Sequence, residues 1–129
     1  MGTPTLPGGP VGDDCTLCFA AGTCPTFINI QVTGIEKCPC ALRDVPSGFF
    51  TLEQSIADPC TWEFKDDDYE IKLSYSSLLS RVWIRDVDDI SVFYFWCDVP
   101  SDCAKNFDNQ YEVCSAPNTC GIDGSVIVL

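Results

Sequence analysis

The chain has 129 residues, ten of them cysteine, and sets seven basic against nineteen acidic residues for a formal charge of −12 at pH 7. That length suits one domain with a real core. The charge excludes nucleic acid and anionic membrane as partners, both of which need clustered Lys and Arg. It keeps the chain soluble and favours cationic partners or divalent ions.

Residues 1–14 read as an extended arm. Pro4, Pro7 and Pro10 deny it regular structure and Gly8, Gly9 and Gly12 loosen it, so order there would need a neighbouring surface. The opening Met1–Pro10 has no basic start and no hydrophobic stretch, so it does not read as a signal peptide. Residues 15–129 are expected to form a single Cys-rich β domain.

A cysteine-dense loop holds Cys15, Cys18 and Cys24. Phe27–Thr33 then alternates, with Ile28, Ile30 and Val32 predicted inward and Asn29, Gln31 and Thr33 outward. Cys38 and Cys40 sit in the following loop, and Phe49–Glu53 is the second strand. Cys60–Lys65 and Glu70–Tyr75, joined through Asp66, Asp67 and Asp68, form the clearest predicted hairpin. Arg81–Arg85 is a fifth strand with Val82 and Ile84 inward and Arg81, Trp83 and Arg85 outward.

Asp86, Asp88 and Asp89 turn the chain into Ile90–Cys97, which is apolar on both faces. Ile90, Val92, Tyr94 and Trp96 fall on one side; Phe93, Phe95 and Cys97 fall on the other. Apolar side chains on both faces predict a central strand covered from both sides. A long loop with Cys103, Cys114 and Cys120 follows, with room for one helical turn around Ser101–Gln110, and Ser125–Leu129 is a closing strand. About seven strands broken by turn signals predict an all-β, disulfide-stapled antiparallel β-sandwich or barrel with long Cys-rich loops.

Cys15, Cys18, Cys24, Cys38, Cys40, Cys60, Cys97, Cys103, Cys114 and Cys120 make an even set of disulfide candidates. Their connectivity is not readable from spacing. Each bridge typically adds about 2–4 kcal/mol against a net stability of about 5–15 kcal/mol. The competing reading is a structural zinc on Cys15, Cys18, Cys38 and Cys40, two close thiolate pairs. A redox Cys-x-x-Cys lacks its βαβ setting. The aspartate clusters at the turns read as backbone caps, with calcium as the alternative, although neither follows the EF-hand pattern.

The chain has no histidine, so a histidine-based triad or metal site is not available. Gly-x-Ser-x-Gly and phosphate-loop motifs are missing too, and with nineteen acids some carboxylate pair always looks plausible. No enzyme and no cofactor are expected, structural zinc being the alternative. Arg81, Trp83 and Arg85 combine an outward aromatic with two guanidinium groups, a composition typical of interface anchors and also of a sugar platform.

Gly48-Phe-Phe-Thr-Leu-Glu53 followed by Pro59-Cys60-Thr61-Trp62, with Cys15-x-x-Cys18 near the start, resembles small cysteine-rich proteins of bacteriophages and some environmental bacteria. The similar stretch runs from about Cys15 to Leu73. The resemblance implies a β-rich virion component, either a capsid decoration protein or a tail or fibre module, and brings no catalytic residues with it. Virion proteins are made in the host cytoplasm and then persist outside it, which reconciles many cysteines with a start that does not read as an export signal.

These readings converge on a non-enzymatic protein of the virion surface: capsid decoration or cement, or a tail, baseplate or fibre component. Its expected partners are other virion proteins, in a homo-oligomer or on a capsid or tail lattice, with neither nucleic acid nor membrane. The alternatives are a secreted carbohydrate- or receptor-binding β-sandwich module and a small structural zinc protein.

Overall fold

The computed structural model describes residues 24–33, 47–58, 60–76, 78–101, 103–109 and 124–129. They form an eight-stranded sheet: β1 (Phe27–Thr33), β2 (Gly48–Gln54), β3 (Thr61–Lys65), β4 (Tyr69–Tyr75), β5 (Ser80–Asp86), β6 (Phe93–Val99), β7 (Asn106–Asn109) and β8 (Gly124–Val128). No helix occurs among the described residues. The hydrogen-bonded order is β6-β5-β4-β3-β2-β1-β8-β7, every neighbouring pair antiparallel. Neighbours in chain order are thus neighbours in space, and β8 returns to β1. The two end strands, β6 and β7, meet where the Cys97 thiol donates to the Asp108 carbonyl at 3.6 Å. The result is a nearly closed, up-and-down barrel.

Alternation builds it. Ile28, Ile30, Val32, Leu52, Ile71, Leu73, Val82, Ile84 and Val126 point inward and are buried, as the period-2 pattern of each strand requires. Trp62, Tyr94, Phe95 and Phe107 are wholly buried among them. Eight strands enclose a space just wide enough for side chains, so this interior is a packed core. Several buried polar side chains are hydrogen-bonded. Trp62 Nε1 donates to the Pro25 carbonyl at 2.8 Å, and the Tyr75 hydroxyl donates to the Ala104 carbonyl at 2.6 Å. Ser80 Oγ donates to the Ser101 carbonyl at 2.7 Å and accepts from the Ala104 amide at 3.1 Å. These last contacts tie the β6–β7 connection to the ends of β4 and β5.

The predicted first five strands appear nearly as read. The turn aspartates act as caps: Asp66 Oδ1 accepts from the amides of Asp68 and Tyr69 at 2.8 and 2.7 Å. Asp89 Oδ1 accepts from the Ser91 amide at 3.1 Å. Gly48 opens β2 at φ 112°, a conformation that L side chains rarely adopt.

Three expectations are corrected. First, the predicted central strand Ile90–Cys97 is Phe93–Val99, and it ends the hydrogen-bonded order instead of lying in its middle. Ile90 sits in the preceding turn, 62% exposed. Register slips between Ile84 and Arg85, so Ile84 faces Phe95 and Arg85 faces Phe93. This bulge turns the consecutive Tyr94 and Phe95 into the core and breaks strict alternation. Tyr94 is held there by donating its hydroxyl to the carboxylate of Asp86, which is itself wholly buried. Second, the loop after Cys97, which had room for one helical turn around Ser101–Gln110, contains the strand β7 at Asn106–Asn109, placed by pairing with β8. The seven-strand count therefore becomes eight.

Third, the sheet is not stapled by all ten cysteines. Cys24 and Cys103 are disulfide-bonded, but Cys97 is a free thiol. Its sulfur faces the backbone of β7, not another cysteine. Cys60 is half-buried against the core at the start of β3. Cys15, Cys18, Cys38, Cys40, Cys114 and Cys120, and with them the zinc alternative, lie outside the described residues, as does the arm over 1–14.

Candidate functional site

Among the described residues the barrel interior is packed with apolar side chains, and the charged groups, Asp86 apart, lie on its outer surface. The outward rows of β3, β4, β5 and β6 follow directly from the register. The first row is Thr61, Ser74, Arg81 and Asp98; the second is Glu63, Lys72, Trp83 and Trp96; the third is Lys65, Glu70, Arg85 and Phe93. Opposite charges stand directly across from one another. Arg81 grips Asp98 in a fork of 2.6 and 3.0 Å, Arg85 Nη2 meets Glu70 at 3.0 Å, and Lys72 reaches Glu63 at 3.6 Å. The fork holds the Arg81 guanidinium above its ordinary value, against a lowering by burial.

Aromatic rings fill the space between the ion pairs. Trp83 and Phe93 stack edge to face at 5.5 Å, and Phe93 and Trp96 do so at 5.0 Å. The Arg85 guanidinium lies 4.5 Å from the Trp83 ring centre, and that of Arg81 lies 4.9 Å from Trp96. Such contacts are worth about 0.5–1 kcal/mol at exposed sites and more when desolvated. Arg81, Trp83 and Arg85 are thus brought together on one strand as expected. Trp83, however, is only 9% exposed and Phe93 is buried, so this is a small second core outside the barrel. A sugar platform needs a bare aromatic face, and that of Trp83 carries a guanidinium. Sequence reasoning missed Phe93 and Trp96 as members, because strict alternation put them on opposite faces and only the bulge puts both outside.

A different surface lies on β2, β1, β8 and β7. Its rows are Thr51, Asn29 and Leu129; Phe49, Gln31, Ile127 and Asn106; and Thr33, Ser125 and Asp108. Phe27 stands beside Glu53 at one margin. Across β2, β1 and β8, Glu53 is the sole charged side chain pointing outward, in a chain of net charge −12. Phe49 is 70% exposed, and Phe27 and Leu129 are more than half exposed. Hydroxyls and amides tie the strands: Thr51 Oγ1 donates to Asn29 Oδ1 at 2.7 Å, and the hydroxyls of Thr33 and Ser125 lie 2.8 Å apart. The signal was readable at β1, whose outward residues Asn29, Gln31 and Thr33 were identified from alternation.

At the seam, burial pushes the Cys97 thiol up, and the charges of Asp98 and Asp108 add to it. Burial likewise raises the Tyr75 phenol well above its ordinary value and lowers the Lys105 ammonium, which sits 5.9 Å from the Tyr75 ring centre. A raised thiol is a poor nucleophile at neutral pH. A shallow groove lined by Glu53, Glu63, Lys65 and Glu70 opens beside β2 and β3, but Glu63 and Glu70 are already engaged by Lys72 and Arg85.

Comparison of the chain with protein families, curated proteins and solved structures finds no match.

Proposed function

We propose that this chain is a non-enzymatic structural protein of the virion surface, a capsid decoration or cement protein or a tail, baseplate or fibre component, acting by protein–protein contact. The observation that carries the reading is the outer face of β2, β1 and β8, where Glu53 at the margin is the sole outward charge and Phe27, Phe49 and Leu129 stand exposed on a strongly acidic chain. Exposed aromatics among uncharged polar groups are the composition of a protein-binding surface. The acidic remainder of the surface suits the outside of a shell, where it repels released nucleic acid. Disulfides such as those of Cys24 and Cys103 fit a protein that works in an oxidising medium, and stapling of loops by the cysteines outside the described residues belongs to this proposal.

The test is direct. Virus particles from the source of this gene are purified on a density gradient and their proteins quantified by mass spectrometry. The reading expects the chain at a fixed ratio to the coat protein; its loss from intact particles at moderate salt overturns it.

A further inference from the structure

We infer that the β2–β1–β8 face is where the chain meets a second copy of itself, packed face to face across a twofold axis near Gln31. The inference rests on the protein-contact reading above and names the partner.

Two copies of a chain carrying −12 repel wherever their carboxylates approach. Beyond about 8–10 Å salt screens that repulsion, so only charges at the contact itself decide the cost. The outer rows of β3 to β6 hold Glu63, Lys65, Glu70, Lys72, Arg81, Arg85 and Asp98, and all of these but Lys65 form ion pairs within the chain. A copy docking there would have to desolvate formed ion pairs. A cationic partner would be held by acids, and the β2–β1–β8 face offers only Glu53 at its margin. What that face does offer is self-complementary. Amides and hydroxyls both donate and accept, so Asn29, Gln31, Thr33, Thr51 and Ser125 can bond to the same set of groups on a second copy. Phe49 and Ile127 flank Gln31 in the central row, which places apolar surface on both sides of the axis.

Size sets the strength. Three strands about 4.8 Å apart and roughly seven residues long make a face of roughly 14 by 23 Å. At about 320 Å² per copy that is below a standard specific interface, so the pairing is weak and transient in free solution and grows with concentration or on a lattice.

Sedimentation equilibrium of the full chain, from about micromolar to about millimolar, tests this. The expected result is a weight-average mass rising from one copy toward two. Gln31→Glu places like charges across the axis and abolishes the rise; Gln31→Lys does the same. An equimolar mixture of the two variants restores association, which no folding defect would allow. A wild-type chain that stays monomeric throughout overturns the inference, as does association undiminished by both variants. The same variants are then tested for binding to purified particles. A monomeric chain that still binds particles removes the self-pairing and leaves the virion reading intact. A chain that dimerises but is missing from particles does the reverse.

Discussion

The two halves of the barrel's outer surface treat their aromatic residues in opposite ways. On β5 and β6, Trp83 and Phe93 point away from the core and are nonetheless covered, by each other, by Trp96 and by the guanidinium of Arg85. On β1 and β2, Phe27 and Phe49 also point away from the core and stand bare among amides and hydroxyls. The difference teaches that facing outward in a strand does not make a side chain available. What decides is whether the chain supplies long charged side chains to lie over it, and an arginine stem covers apolar surface while its head stays wet.

The sharpest test of that contrast is to truncate one aromatic from each half. Trp83→Ala should lower unfolding free energy in urea by about 3 kcal/mol, as loss of a buried aromatic does. Phe49→Ala should change it by no more than about 0.5 kcal/mol, as at an exposed site. Equal losses would erase the distinction between the two halves.

Next in size is the bulge that moves Phe93 and Trp96 onto the same outer side. Asp86→Ala removes the acceptor of the buried Tyr94 hydroxyl and of the Asp88 amide at 2.8 Å. A loss of about 1–3 kcal/mol is expected. Near-ultraviolet circular dichroism should change with it, because the Trp83–Phe93–Trp96 stack depends on the same slip. An unchanged aromatic spectrum would separate the bulge from the stack.

The ion pairs of the charged half are worth less. A double-mutant cycle on Arg81→Ala and Asp98→Ala should give a coupling of about 0.2–1 kcal/mol that weakens with salt, since both side chains are more than a third exposed. A coupling that ignores salt would mean that the pair is buried by more than its neighbours on the strand.

The smallest effect belongs to the seam between the halves. The Cys97 thiol lies above its ordinary value of 9.0, so between the unfolded and folded values the folded chain binds more protons. Its contribution is complete below the unfolded value and fades as the pH rises through the folded one. Cys97→Ala should therefore flatten the alkaline end of the stability profile slightly and leave neutral pH little changed. Thermal melts of both proteins between neutral pH and mild alkali measure it, and an unaltered slope would place the thiol in water instead of at the closed seam.

The first five strands, their inward residues and the turn aspartates were legible because each is a local matter. Alternation assigns a face, and a short carboxylate caps its own turn, whatever the rest of the chain does. Arg81, Trp83 and Arg85 were legible as a set for the same reason. Their covering was not, since it depends on Phe93 and Trp96 arriving from the next strand with shifted register. Strand β7 was hidden too: Asn106–Asn109 has a single inward apolar side chain, Phe107, and becomes a strand only by pairing with β8.

By itself, then, the order of residues determined an all-β chain, strongly acidic, with apolar side chains repeating at a period of two. Tertiary structure alone decided that the strands close on themselves and that Ile90–Cys97 supplies an end strand with a bulge. It also decided that the Cys97 thiol faces a backbone carbonyl and which outward aromatics remain bare. The physical reason is range: side-chain alternation is set between adjacent residues, whereas register, closure and cover are set by contacts between strands far apart in the chain.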